Sequence, residues 1–371
     1  MNKKISKRET NIDLLRILAM LMVITLHSIN NPEISAGNVS FSMYNTILIR
    51  FLDSLSLTAN GIFIIISGYY MIDKKMNLKK ILSLWGRVLF YSILIYIVSE
   101  FVLGIKTTTY ESFFPLLTGQ YWFISAYIVL CFLSPVLNIL ANKLSQKQYK
   151  YFIVFMIVTL GIIKVFFEKS GTFSGTLLPV FMLYFIGGYI RKYIEIKEKQ
   201  YYFTKYILLA CIFTLIFIIL AILPRIIIPK AYGSIVNFLA DFRQHDNLIM
   251  IAMTIFVLLK FRTIKIKSQT INQIITFIVP SVFSVYLIHY NINIRWYIWN
   301  LLGINYYANT WYFIPYLLCT IILVFISCLA IDLLRRGGYA LLKKVPIINK
   351  GITKLNEKIN YLNNKINSIF D

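Results

Sequence analysis

NIDLLRILAMLMVITLHS, residues 11–28, decides the fold. The stretch is apolar and long enough to cross a bilayer as a helix, which takes about 20 residues. Yet it carries Asp13 and Arg16 near one end and His27 near the other. Ionisable groups on a membrane helix are expensive, so a functional site is the first hypothesis where they occur. Arg16 and His27 are eleven residues apart, about 1,100° of helix rotation, within about 20° of three full turns. Their side chains therefore share one face, about 16 Å apart along the axis. Asp13, three residues before Arg16, is placed to pair with it.

The rest of the chain has the same character. Of 371 residues, 58% are hydrophobic and 14% are charged, against about 25% charged in a soluble domain. Mean hydropathy is +0.70. The first helix exceeds a signal-peptide core and no small-residue cleavage site follows it, so it is expected to stay as a membrane span. A net charge of +23 raises a nucleic-acid reading. The lysines and arginines, however, sit in short clusters between apolar spans, which is the pattern of charges that set membrane topology. No nucleic-acid partner is expected; the lipid bilayer is. The four cysteines, Cys131, Cys211, Cys319 and Cys328, all lie in apolar spans without metal-ligand spacing, so they read as small buried hydrophobes.

The pattern predicts an all-α, polytopic membrane helix bundle of about ten transmembrane helices. The expected spans are about 12–31, 46–72, 82–103, 120–141, 151–167, 176–190, 206–223, 247–259, 274–294 and 311–334. Segments expected inside hold 28 Lys and Arg, against five in segments expected outside. That asymmetry places both termini in the cytoplasm. Residues 1–340 read as one integral-membrane domain. Residues 341–371 read as a cytoplasmic tail, in which Ile352, Leu355, Ile359, Leu362, Ile366 and Ile369 recur at helical spacing between Lys and Asn. Lying on the anionic inner leaflet is one role for such a helix; self-association into a homo-oligomer is another.

Several residues can carry chemistry. His27 suits a general base near neutral pH, and a hydrogen bond to a neighbouring helix is the blander account. Glu100, near the outer end of the third span, can orient His27 or simply face water. His289, in VYLIHY, is a second member of the site, on the acceptor side, or a packing residue. Ser67 and Gly68 in IIISGYY permit close backbone approach of a helix or a ligand. Lys80 and Arg87, with Asp13 and Ser67, form the expected donor side; topogenic charge explains the lysine as well, but Arg87 lies inside a span. Trp122 and Tyr127 fit an acceptor groove or an interfacial aromatic belt. His245, beside Asp246 in the long outer segment 224–246, reads as a solvated loop residue. No metal, P-loop, nucleophile-elbow or dinucleotide signature is present.

IDLLRILAMLMVITLH resembles the first helix of the membrane-bound acyltransferase family 3 proteins, in which an Arg and a His are separated by ten residues. The resemblance continues in order through IFIIISGYYMI, LKKILSLWGRVLF, YWFISAYIVLCFLSPVL, FMLYFIGGYIRK and VFSVYLIHY, from about residue 10 to 335. It implies a multi-pass enzyme of the bacterial plasma or inner membrane. Such an enzyme moves an acyl group, often acetyl, from cytoplasmic acetyl-CoA to a surface glycan or its lipid-linked precursor. His27 would be the catalytic histidine and Arg16 the essential arginine. No permanently bound cofactor is implied. Relatives that transfer succinyl leave the acyl group open. A polysaccharide transporter or flippase is the competing class, since many spans with buried charges suit transport too.

Overall fold

The computed structural model describes residues 8–31, 41–167, 177–196, 202–227 and 248–370. His245 and most of the long outer segment lie outside the described residues. Among those residues the chain is helical, with no strand. The first helix, α1 (Thr10–Ile29), has Asp13 in its first turn, where the helix dipole favours an anion, and His27 in its last.

The expected second span is two helices, α2 (Met43–Ser56) and α3 (Thr58–Met71), broken at Leu57. The break has neither Gly nor Pro. Instead the hydroxyls of Ser54 and Thr58 donate to the carbonyls of Arg50 and Leu55, and such back-bonding bends helices. The long α4 (Leu78–Phe101) follows, capped by Asn77, whose side chain accepts from the Lys80 N–H. Next come the short α5 (Thr109–Phe113) and α6 (Trp122–Lys143). Then α7 (Gln146–Phe167), α8 (Leu177–Tyr193), α9 (Tyr202–Ile227) and α10 (Leu248–Thr263) run in series. The last part comprises α11 (Gln269–His289), the short α12 (Arg295–Leu302), α13 (Phe313–Leu342) and the tail helix α14 (Pro346–Asn367).

Six of these segments are long and apolar enough to cross a membrane: α1, the α2–α3 pair, α4, α6, α11 and α13. This count, taken over the described residues, is lower than the ten expected. Helices α7 to α10 occupy the other four expected positions. Of these, α8 and α10 are described over 17 and 16 residues, each beginning where the described chain begins. Helix α8 is buried along most of its length, as an interior helix packed on α3.

That packing is very close. A Cβ on Gly68 would stand 2.0 Å from the carbonyl oxygen of Tyr184, and one on Gly187 would stand 2.1 Å from that of Ile65. The two helices meet backbone to backbone at paired glycines, the small-residue mode of packing in membranes. Gly68 therefore serves a helix rather than a ligand.

Helix α1 lies at the centre and packs against α2, α3, α10, α11 and α13. Buried polar groups pin the surrounding helices. Asp332 on α13 is fully buried and accepts from Tyr91 on α4 at 2.6 Å and from the Nε of Arg335 at 2.8 Å. Asn138 on α6 donates to the carbonyls of Met71 and Lys74 and accepts from Tyr184. One amide thus ties the end of α3 to α6 and α8.

Helix α14 docks on the start of α4. Ile359 and Ile366 pack against the Met76, Leu78, Ile81 and Cys131 cluster. Asn363 Oδ1 accepts from the Leu78 N–H at 2.8 Å, and Asn367 donates to the Met76 carbonyl at 3.1 Å. Leu355, Leu362 and Ile369 remain exposed, so the tail has one apolar strip docked and a second free. This docking within the chain is a contact that the spacing of apolar residues along the tail does not reveal.

Gly68→Ala and Gly187→Ala should each cost about 1–3 kcal/mol, because backbone cannot move aside as a side chain can. The loss would be read as a lower midpoint of thermal unfolding in detergent. Removing residues 346–371 should speed amide hydrogen exchange at residues 76–81 and leave α11 unchanged, as measured by mass spectrometry.

Candidate active site

The face of α1 foreseen from residue spacing carries Arg16, Met20, Val23 and, one turn further, His27. The first three line a cavity of about 390 Å³. Helix α3 contributes Asn60, Phe63, Ser67 and Tyr70, which also recur along one face. Lys80, Leu84 and Arg87 come from α4, Phe123 and Tyr127 from α6, and Pro280, Phe283 and Tyr286 from α11. Its size lies within the range of small-molecule sites, and the mix of many apolar walls with few polar groups is typical of them.

A second cavity of about 230 Å³ adjoins the first through Tyr70, Met71 and Lys80. Lys74, Lys75, Asn77, Cys131 and Ser134 add to its walls. Neither cavity has a carboxylate in its wall among the described residues. Two lysines beyond Lys80 therefore concentrate positive charge at one end of the space.

At that end Arg16 is held from two sides. It forms an ion pair with Asp13, which also pairs with Arg8. Its guanidinium lies 5.2 Å from the centre of the Tyr70 ring, an attractive cation–π geometry. The Tyr70 hydroxyl donates to Glu9 at 2.6 Å. Asp13 is buried behind Arg16 and does not line the cavity. It positions the arginine and is not placed to meet a donor, which is a change from its expected role. Ser67 lines the cavity while its hydroxyl donates to the Phe63 carbonyl at 2.8 Å. Arg87 donates to the Pro280 carbonyl at 3.2 Å and sits over the Phe283 ring.

At the other end, His27 stacks on Tyr290 with ring centres 4.0 Å apart. Its Nδ1 is 2.9 Å from the Nε2 of His289. The ring of Tyr286, which closes the cavity, is 6.1 Å away. His289 is fully buried, and its Nδ1 is 2.6 Å from the Val285 carbonyl. It therefore stands behind His27 and has no open face for an acceptor, contrary to its expected place. Glu100 is exposed at the end of α4 and accepts from Thr107. Among the described residues it makes no hydrogen bond to His27, so the expected carboxylate–histidine pair is not formed.

Of the ten expected site residues, Arg16, Ser67, Lys80, Arg87 and Tyr127 share the main cavity, and His27 and His289 meet beyond its end. Trp122 turns to a small separate pocket beside Asn60 and Pro179. Tyr286, Tyr290, Phe123 and Lys74 were not foreseen. Tyr286 and Tyr290 had a signal, since they flank His289 in VYLIHY. No cluster of His, Cys, Asp or Glu suited to a metal ion occurs among the described residues.

Comparison with known proteins gave one result. A family model described as an acyltransferase domain, Acyl_transf_3, matches residues 9–331. Curated proteins and solved structures gave no match. The matched range takes in every helix that lines the cavity, and on it the chain belongs to acyltransferase family 3, as a membrane acyltransferase.

Proposed function

We propose that this protein transfers an acetyl group from cytoplasmic acetyl-CoA to a hydroxyl of a surface glycan or its lipid-linked precursor, in a bacterial plasma membrane. The observation that carries the proposal is the single space running beside α1 from the lysine and arginine end to Tyr286, next to His27. In this reading the chain crosses the membrane ten times with both termini in the cytoplasm, supported by the excess of Lys and Arg in the inner segments.

Each end suits one substrate. Lys74, Lys80, Arg16 and Arg87 offer cations for the donor's phosphates. The apolar middle suits an uncharged arm that ends in the thioester. His27 takes the proton of the acceptor hydroxyl as its oxygen attacks the thioester carbonyl carbon. The carbon–sulfur bond then breaks, and the departing thiolate takes the proton back from the His27 imidazolium. Arg16 lies about three turns from His27, too far to touch the same atoms, so its role belongs to donor binding.

His27→Ala should lower turnover by about 10²–10⁴-fold with the protein still folded. Release of free CoA by purified protein with acetyl-CoA and a glycan fragment measures this, and full activity would remove His27 from the mechanism. The same assay answers the transport alternative, because a flippase releases no CoA. Lys74→Ala and Lys80→Ala should each raise the KM for acetyl-CoA about tenfold, the loss of about 1.4 kcal/mol of charged contact, with kcat nearly unchanged. Equal KM in variant and parent would place the phosphates elsewhere.

A further inference from the structure

The two histidines on α1 and α11 share one hydrogen bond, and the atoms on either side of it decide who donates. Val285 contributes a carbonyl oxygen, which only accepts. The Nδ1 of His289, 2.6 Å from it, must therefore carry a proton. A neutral His289 then has a bare Nε2, since the two ring nitrogens of neutral imidazole are one donor and one acceptor. A doubly protonated His289 would be a full charge in a site with no solvent exposure. No Asp or Glu bonds to either ring among the described residues, and Arg295 already stands over Tyr290. Such an uncompensated buried cation is strongly disfavoured. The Nε2 of His289 is the acceptor, and His27 is the donor through Nδ1 at 2.9 Å.

We infer that His289 is a positioning residue that holds His27 in its Nδ1–H tautomer, with Nε2 unprotonated and available as the base. The inference deepens the proposed function and rests on His27 being the base there. The chain of bonds runs from Val285 to His289 to His27, and stacking on Tyr290 fixes the ring plane. A backbone carbonyl on α11 thereby sets which nitrogen of an α1 side chain is basic. Hydrogen bonding at one nitrogen defines the state of the other. A neutral histidine does here the orienting work that a carboxylate does in acid–histidine pairs. Without it, the wrong nitrogen can carry the proton, and the base is absent in that fraction of molecules.

The chain has only three histidines, so ring-¹⁵N-histidine labelling of the whole protein in detergent gives a simple spectrum, with His245→Ala used for assignment. His27 should appear as Nδ1–H with a bare Nε2. His289→Leu removes the acceptor, and His27 should shift toward the Nε2–H tautomer. His289→Gln keeps an acceptor, its Oε1, near the place of the lost Nε2, and should retain the parent tautomer. Turnover should fall about 100-fold or more in His289→Leu, the scale of losing a tautomer-setting partner. The donor KM should stay within about twofold, and His289→Gln should recover most of the rate. A parent His27 protonated at Nε2, a His289→Leu variant with an unchanged His27 tautomer, or full turnover in that variant would each overturn the inference. The parent spectrum needs no variant to fold. It also needs no turnover: absence of acyl transfer by the parent would sink the proposed function while the spectrum still decides the role of His289.

Discussion

An arginine and a histidine on one apolar helix have to be satisfied by protein, because the bilayer core offers them nothing. Much of the arrangement follows from how α1 meets that demand. At one end Asp13 is buried against Arg16 and is itself shared with Arg8. At the other, His27 reaches across to His289 on α11 and stacks on Tyr290. Each solution requires a neighbour at a fixed height and rotation. Helix α1 can be central only if α3 brings Tyr70 to Arg16 and α11 brings His289 to His27.

The same demand shapes the cavity. Arg16 and Arg87 are held at its walls by an ion pair, a carbonyl and aromatic faces, so they do not collapse into the space. Between them the lining is aliphatic and aromatic. Close contact of α3 with α8 through Gly68 and Gly187 fixes the back of α3, leaving its Phe63–Tyr70 face toward the cavity. The docked tail holds the loop that carries Lys74 and Lys75. A basic mouth, an apolar middle and an imidazole beyond the far end are thus three consequences of a few local restraints.

The face shared by Arg16 and His27 was legible in the sequence because helical periodicity alone sets it, and Asp13 was legible as the ion-pair partner by its three-residue spacing. Arg87 was legible because an arginine inside a span has no topogenic excuse. The partner of His27 was not. Glu100 had the right chemistry and a similar expected depth, but spacing along one helix says nothing about rotation toward another, and α4 turns Glu100 to the surface. Gly68 also stayed ambiguous, since one glycine cannot reveal whether a helix or a ligand approaches it. Its counterpart Gly187, far along the chain, resolves the matter. The number of spans was legible only in part for a related reason: a helix buried by other helices, such as α8, is as apolar as one that faces lipid.

These restraints bear on whether the acyl group travels in one step or through a covalent stop on the enzyme. Arg16, Met20 and Val23 place the cavity along successive turns of α1, and from Val23 to His27 is one further turn, about 6 Å. Tyr286 lines the cavity, and its ring centre lies 6.1 Å from that of His27. A donor anchored by its phosphates at the lysines would thus need to carry its thioester only past Tyr286 to come within reach of the base. No second nucleophile is required to bridge the distance: the Cys131 sulfur lies by the lysine end, and Ser67 has its hydroxyl committed to the Phe63 carbonyl. On the proposed function, direct attack by an acceptor hydroxyl then asks only that the donor arm reach past Tyr286.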